Sequence, residues 1–247
     1  MNDSFMPSVP AEEDEPVAVG GREIVRRKGD WSLTPAQLES RALIQRDALS
    51  RPEVDAFREL RTKLLAMTDG NAITLVVPVS AGSGGSFVSR NLAAALAFEE
   101  SRTALLIDCD LRNPSQHTTL QVDPDQGGLV DYLDGPDAQL ASLIYDTGVP
   151  GLQLLPVGNT PDAGGEYFSS FRMRLLLDTL RSHNPECHIF LDGPPVRGTP
   201  DARILAELAD VVILVAGYGR DTPSAIAQAA ANFAPEKFAG VVFNEGV

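Results

Sequence analysis

The chain has 247 residues, 43% of them hydrophobic, and a formal net charge of -14, which is enough for one large domain or a domain with an extension. The acid excess argues against a nucleic-acid partner or an anionic-membrane surface, both of which need clustered Lys and Arg. No run approaches the roughly 18 to 20 apolar residues of a membrane span, and the N-terminus, with Asp3 and then Glu12, Glu13, Asp14 and Glu15, lacks the basic and apolar regions of a signal peptide. The expected location is cytoplasmic. Cys109 and Cys187, far apart and in apolar runs, read as buried thiols in a reducing compartment.

Residues 1–30 are rich in Pro, Gly, Glu and Val without period, with Arg22, Arg26, Arg27 and Lys28 interrupting the acid stretch, and read as a disordered arm. Thr34 then offers an N-cap with Pro35 at the first helical position, opening a helix predicted over residues 34–50. The expected division is an arm and short helix over residues 1–50, followed by the main domain over residues 51–247. A second helix, over residues 52–67, places Phe57, Leu60, Leu64 and Leu65 on one face and Asp55, Arg58 and Arg61 in a ridge at i, i+3, i+6. Such a ridge is either a solvated face with internal ion pairs or an interaction surface.

The apolar, β-branched run over residues 73–77 reads as a buried strand, and residues 88–98 as a helix. Between them stands Gly82-Ser83-Gly84-Gly85-Ser86, the shape of a phosphate-cradling loop. In a loop of the form G-x-x-x-x-G-K-[ST], backbone N–H groups point at the phosphates, the lysine neutralises the outer ones and the hydroxyl ligates Mg²⁺. Ser86 keeps the hydroxyl, whereas Gly85 stands at the lysine position. By itself the pentapeptide is equally a tight turn before a helix. Arg90 and Arg112 are the nearest candidates for a replacement cation, with Arg90 expected at the surface.

Further apolar runs follow at residues 104–107, ending at Asp108-Cys109-Asp110, and at residues 152–157, with a helix around residues 173–180 next. Residues 188–191 run into Asp192-Gly193-Pro194-Pro195, and runs at 211–215 and 240–244 complete at least six strands. The alternation predicts an α/β fold, doubly wound, with a mostly parallel sheet and helices on both faces. Ligands in such sheets sit at the carboxyl ends of strands, where the glycine loop, Asp108, Asp110, Asp192 and Asn244 all fall. Acids converging on a glycine loop suggest Mg²⁺ and phosphate, although each acid alone is as readily a helix cap or an Asx turn.

These residues resemble the bacterial tyrosine kinases of capsule and exopolysaccharide synthesis, a branch of the MinD/ParA-like P-loop ATPases. Residues 106–114, Leu-Ile-Asp-Cys-Asp-Leu-Arg-Asn-Pro, resemble that family's second Walker motif, I-D-x-D-x-R-x-P, and Asp192-Gly193-Pro194-Pro195 resembles its Walker B, D-T-P-P. Gly127-Gly128-Leu129 with Leu133-Asp134-Gly135 resembles its G-L-x-x-x-L-x-G segment, and Ser170-Phe171-Arg172-Met173 its S-x-x-M stretch. Asp55, Arg58 and Arg61 resemble its E-x-x-R-x-x-R oligomerisation ridge, with aspartate in place of glutamate.

The resemblance implies Asp108 as a base for the tyrosine hydroxyl, and Ser86, Asp110 and Asp192 as holders of Mg²⁺ directly or through water. It places ATP or ADP against Gly82, Ser83, Gly84, Gly85, Ser86 and Asn244, and a homo-oligomer contact at the ridge. The departures cut the other way. Against the family's P-G-E-G-K-S-T, residues 81–87 lose the lysine and the last threonine, and Phe87 adds bulk. A lost charged hydrogen bond, about 1.5 to 3 kcal/mol, lowers nucleotide affinity roughly ten- to a hundredfold. The family's tyrosine-rich tail is not expected either, since Tyr132, Tyr145, Tyr167 and Tyr218 are scattered. The expectation is a pseudokinase with ATP or ADP and Mg²⁺ binding weakened or lost. It would be a regulatory or scaffolding subunit of a polysaccharide polymerisation and export system, recruited to the inner membrane by a membrane-embedded co-polymerase or chain-length protein. Two alternatives are a residual Mg-ATP-dependent tyrosine kinase or ATPase and a MinD/ParA-type positioning factor, the latter disfavoured by the acidic surface.

Overall fold

Seven strands form one sheet in the order β3-β4-β2-β5-β1-β6-β7. They are β1 (Ile73–Pro78), β2 (Thr103–Asp108), β3 (Tyr145–Asp146), β4 (Leu152–Leu155), β5 (Cys187–Asp192), β6 (Val211–Gly217) and β7 (Phe238–Asn244). All neighbours pair in parallel except the short edge strand β3, which runs antiparallel to β4. This computed structural model describes residues 33–45, 51–68, 70–135, 138–159 and 166–245. The arm expected over residues 1–30 and the last part of the helix expected over 34–50 lie outside them.

The central strands are buried on both faces, which is why their sequences are continuous apolar runs rather than alternating ones. One face carries Leu75, Val77, Leu105, Ile107, Ile189 and Leu191 against the helical layer that includes Leu176, Leu180 and Leu205. The other carries Val76, Leu106, Phe190 and Ile213 against Leu92, Leu96, Phe57 and Leu64. Helices α2 (Pro52–Met67) and α3 (Gly85–Ala97) build this second layer. On α2, Val54, Phe57 and Leu64 are buried and Leu60 and Leu65 partly so, the stripe that the sequence predicts.

The first helix is shorter than expected. Helix α1 covers Pro35–Ser40, opened by a capping box in which Thr34 Oγ1 accepts from Gln37 N and Gln37 Oε1 accepts from Thr34 N. It stops because Ala42 adopts a left-handed conformation, φ 48°. Leu43 N then donates to Leu38 O and Ala42 N to Glu39 O, the paired closure that ends many helices. The turn drops Leu43 and Ile44 into the core beside α3, and that burial competes successfully with another helical turn.

The described helices downstream of α3 are α4 (Gln116–Leu120), α5 (Leu129–Asp134), α6 (Glu166–Ser169), α7 (Phe171–His183), α8 (Asp201–Leu208) and α9 (Pro223–Ala230). The Ser170 to Met173 stretch is the start of α7, where the Ser170 hydroxyl accepts from Met173 N as an N-cap.

His188, at the centre of the sheet, stacks on Phe190 and meets the Thr74 hydroxyl at 2.7 Å. Burial, with a smaller push from the Arg102 charge, holds its imidazole down at about 3. It stays neutral in the fold, whereas the unfolded chain takes up the proton near pH 6.5. Between these values the unfolded state binds more protons, so this group lowers stability as pH falls from about 6.5 to about 3. In urea denaturation, His188→Leu should gain on the natural chain across that window; a gap independent of pH would contradict the assignment.

Candidate functional site

The site forms where β1 ends and α3 begins. Gly82 and Gly84 take the left-handed conformation, φ +79° and +91°, which curls residues 79–84 back onto the strand end and aims the first turn of α3, whose N–H groups have no intrahelical acceptor, at the loop's mouth. The turn is closed against the sheet by a hydrogen bond from Val79 N to Val215 O and one from Ser83 N to Ser80 O. Tight turn and anion-binding geometry are here the same structure.

Gly85 is the first residue of α3 and buried. A Cβ on it would lie 2.6 Å from Cδ and 2.9 Å from Cγ of Pro78. The lysine position is therefore closed as well as vacant of charge, because the proline ring occupies the space through which any side chain must leave the Cα. The sequence identifies Gly85 as a departure but gives no sign that Pro78, seven residues earlier, is its steric partner.

Asp108 and Asp192 face each other in register at the ends of β2 and β5, and both are fully buried. Asp108 accepts from Asp110 N, Ser115 N and Gln116 N, so it anchors the backbone that leads into α4. Asp192 Oδ2 accepts from the Gln116 amide at 2.6 Å, while its Oδ1 is buried with no hydrogen-bond partner among the described residues. Burial raises both carboxyls; the Asp108 charge raises Asp192 further, whereas Asp108 is pulled back by the backbone N–H groups of residues 116, 115 and 110 and pushed up slightly by the Asp110 charge. For Asp192, the Gln116 amide, the Ser86 hydroxyl and the Arg90 guanidinium act in the opposite direction. Asp110, half-buried, is raised by burial and pulled back by the Asn113 and Arg112 backbone N–H groups and the Arg112 charge.

Arg90 corrects an expectation. It is 5% exposed rather than on the surface, because it points inward from the second turn of α3. Its guanidinium donates to Ser86 O, Gln116 Oε1 and Ala42 O. Its charge lies behind the glycine loop, where burial weakens it and Asp192 supports it. Neighbouring Asn91 ties the 41–44 segment to the same helix, accepting from Ile44 N and donating to Ala42 O. Arg112 is exposed and acts on Asp110.

Gln116 was not legible as a site residue. Fully buried, it donates to both Ser86 O and Asp192 and accepts from Arg90, joining the loop, the acids and the buried cation through one neutral amide. Its only trace in the sequence is its place just after the second Walker-like motif.

Asn244, at the end of β7, packs so closely on Gly84 that a Cβ there would overlap its amide, and it donates to Ser83 O at 3.2 Å. The Asp55, Arg58 and Arg61 ridge divides. Asp55 and Arg58 pair at 3.1 Å on an exposed surface, whereas Arg61 turns to Glu99 at 3.1 Å and to Ala95 O, fastening α2 to α3.

Among the described residues no group of three or more His, Cys, Asp and Glu is placed to hold a metal. Mg²⁺, however, characteristically takes one or two protein oxygens and completes its shell with phosphate and water. The unpartnered Asp192 Oδ1 and the Ser86 hydroxyl fit that requirement, and the free N–H groups of the first turn of α3 fit a phosphate. A cation supplied by the loop itself does not fit. Among the described residues, no helix is long and apolar enough to cross a membrane.

No family model matches the chain. A putative tyrosine-protein kinase, EpsB of Ralstonia solanacearum, is 34% identical over 235 residues, which are 94% of this chain and 29% of EpsB. The chain thus spans under a third of that relative. The tyrosine-protein kinase CpsD of Streptococcus agalactiae serotype III is 30% identical over 191 residues, 76% of this chain and 81% of CpsD. In structure, the kinase domain of the Escherichia coli tyrosine kinase ETK superposes with a TM-score of 0.71 at 30% identity, covering 80% of this chain and 77% of that one.

An exposed helical Gly→Ala change ordinarily stabilises by about 0.5 to 1 kcal/mol. Here Gly85→Ala should instead destabilise by about 1 to 3 kcal/mol through overpacking against Pro78. The penalty should shrink in a Pro78→Ala background when both are measured by urea denaturation. Equal effects in the two backgrounds would show that the ring does not close the position.

Proposed function

Because the chain belongs to the bacterial tyrosine kinase family, we propose that it is a member that keeps the nucleotide-binding fold without phosphoryl transfer, and that it serves a capsule or exopolysaccharide system as a regulatory or scaffolding subunit. One observation carries the reading: the lysine position is occupied by Gly85 and sealed by Pro78. Phosphoryl transfer depends on neutralising the charge that spreads over the transferred group, a task that positioning alone does not accomplish. The buried acids offer no compensation, since Asp108 and Asp192 bring no positive charge to the loop while Arg90 stays behind it.

In this reading a bound Mg²⁺ would supply charge neutralisation between phosphates and protein. Ser86, Asp110 and Asp192 would hold it, directly or through water. Asp108, which in an active enzyme would serve as base, is committed to the backbone N–H groups of residues 110, 115 and 116. Asn244 supports the loop from the side of the nucleotide base. The partner is a membrane-embedded co-polymerase or chain-length protein, and contact with it places the domain in the cytoplasm at the inner membrane. Self-association uses Asp55 and Arg58, with Arg61 holding α2 in position.

The test is phosphotyrosine formation, on the chain itself and on a tyrosine-rich peptide, in Mg²⁺ and ATP beside an active family member. No signal above the metal-free control is expected; transfer that disappears in Asp108→Ala would overturn the reading in favour of a residual kinase. For the ridge, Arg58→Glu should lower the mass seen by light scattering, and a natural chain that is monomeric at all concentrations would rule out self-association there.

A further inference from the structure

The chain contains three lysines, Lys28, Lys63 and Lys237. Lys63 pairs with Glu59 on α2, and Lys237 donates to the carbonyls of Ala206 and Glu207 at the end of α8. Neither of these two is at the glycine loop. Arg90 is buried behind it, and exposed Arg112 acts on Asp110 through its backbone N–H and its charge. Among the described residues, a basic side chain does lie on the loop. Arg220, from the turn between β6 and α9, donates from Nη1 to Ala81 O at 3.0 Å. Its guanidinium covers the Cα of Gly82, so that a Cβ there would meet Nη1 at 2.9 Å and Cζ at 3.2 Å.

The turn that carries Arg220 is fastened to the loop. Asp221 accepts from Ser83 Oγ at 2.6 Å and from Gly217 N at 2.8 Å. Although burial pushes its carboxyl up, those hydrogen bonds, one from Ser80 and the Arg220 charge hold it below the usual carboxylate range. Tyr218 N donates to Asn244 O, and the Asn244 amide reaches back to Ser83 O. Gly217 packs tightly on both, since a Cβ would lie 3.2 Å from Ser83 Cα and from Arg220 Cβ. The result is a latch of residues 217–221 locked in register with residues 80–84, with an exposed guanidinium at its tip. Arg220 therefore lies against the bare Cα atoms of two glycines, Gly82 and Gly217.

We propose that Arg220 is the cation of this phosphate cradle, delivered from the β6–α9 turn in place of the lysine missing at Gly85, and that the domain thereby binds the phosphates of a nucleotide without transferring them. The inference rests on the reading of the domain as a silent family member and adds how its site still recognises a ligand. A guanidinium presents several N–H donors in a rigid fork suited to phosphate oxygens and stays charged throughout the accessible pH range. Approaching over Gly82 rather than from inside the first turn of α3, it lies on a different side of the loop from the missing lysine. It can therefore hold a ligand without reaching the position from which the lysine stabilises transfer.

The experiment is calorimetric titration of the full chain with Mg²⁺ and ADP, and separately with Mg²⁺ and pyrophosphate. Natural protein, Arg220→Ala, Arg220→Lys and the distant surface variant Arg174→Ala are compared, with thermal melting of each as a control for folding. Arg220→Ala should weaken both ligands about ten- to a hundredfold, Arg220→Lys should recover part of the loss, and Arg174→Ala should bind as the natural chain does. The proposal is overturned if Arg220→Ala binds within twofold of the natural chain, if it loses ADP but not pyrophosphate, or if the natural chain binds neither. Phosphotyrosine formation by the natural chain would instead remove the silent-kinase reading while leaving the role of Arg220 to be judged on these titrations.

Discussion

The pyrrolidine ring of Pro78 resting on the bare Cα of Gly85 is the constraint around which the rest of the site is arranged. It brings the end of the central strand β1 within van der Waals distance of the start of α3, and the intervening loop must reverse direction in few residues, which it does through Gly82 and Gly84 in left-handed conformations. A comparable close approach occurs at Gly193, where a Cβ would strike Val77 and Leu75. Three elements meet at these glycines, and their polar groups converge because the backbones do. The sterics that make the junction compact are the same sterics that exclude a lysine.

Around that junction the charges are arranged in two layers. Inside, Asp108, Asp192 and Arg90 are buried together with Gln116 between them. Burying charge is expensive unless it is paired and hydrogen-bonded, and here the pairing is indirect: Gln116 relays between the guanidinium and the Asp192 carboxylate while accepting and donating along the chain of contacts. Ala42 O and Asn91 bind the segment after α1 into the same network, so the N-terminal strap, the helix and the acid pair share one set of hydrogen bonds. Outside, Asp221 and Arg220 face the loop from β6. Arg90 is thus a buried cation linked to Asp192 through Gln116, and Arg220 an exposed one that sits over the turn.

Most of the sheet was legible because parallel strands buried on both faces are short continuous apolar runs, and each such run in this sequence became a strand. Edge strand β3, two residues long and antiparallel, left no such signal. The helix over residues 52–67 was legible from its stripe, whereas the one expected over 34–50 was drawn too long: nothing local marks Ala42 as left-handed, and only the tertiary burial of Leu43 and Ile44 explains why the chain turns there. At the site, the glycine loop and the acids announced themselves by motif and by strand-end placement. Arg90 was misplaced because an i+5 position says nothing about which way a long side chain points. Gln116, Pro78 and Arg220 depend on contacts across 76, 7 and 139 residues of sequence, and no spacing rule within one element reaches them.

The central claim is that the lysine position is closed by shape as well as lost by substitution. Its most direct test is titration with Mg²⁺ and ATP of three variants beside the natural chain: Gly85→Lys, Pro78→Ala, and the two combined. The account predicts that Gly85→Lys alone gains no affinity and loses stability, and that the double variant binds about tenfold or more tightly than either single change. Gly85→Lys binding as tightly as the double variant, with stability intact, would contradict it.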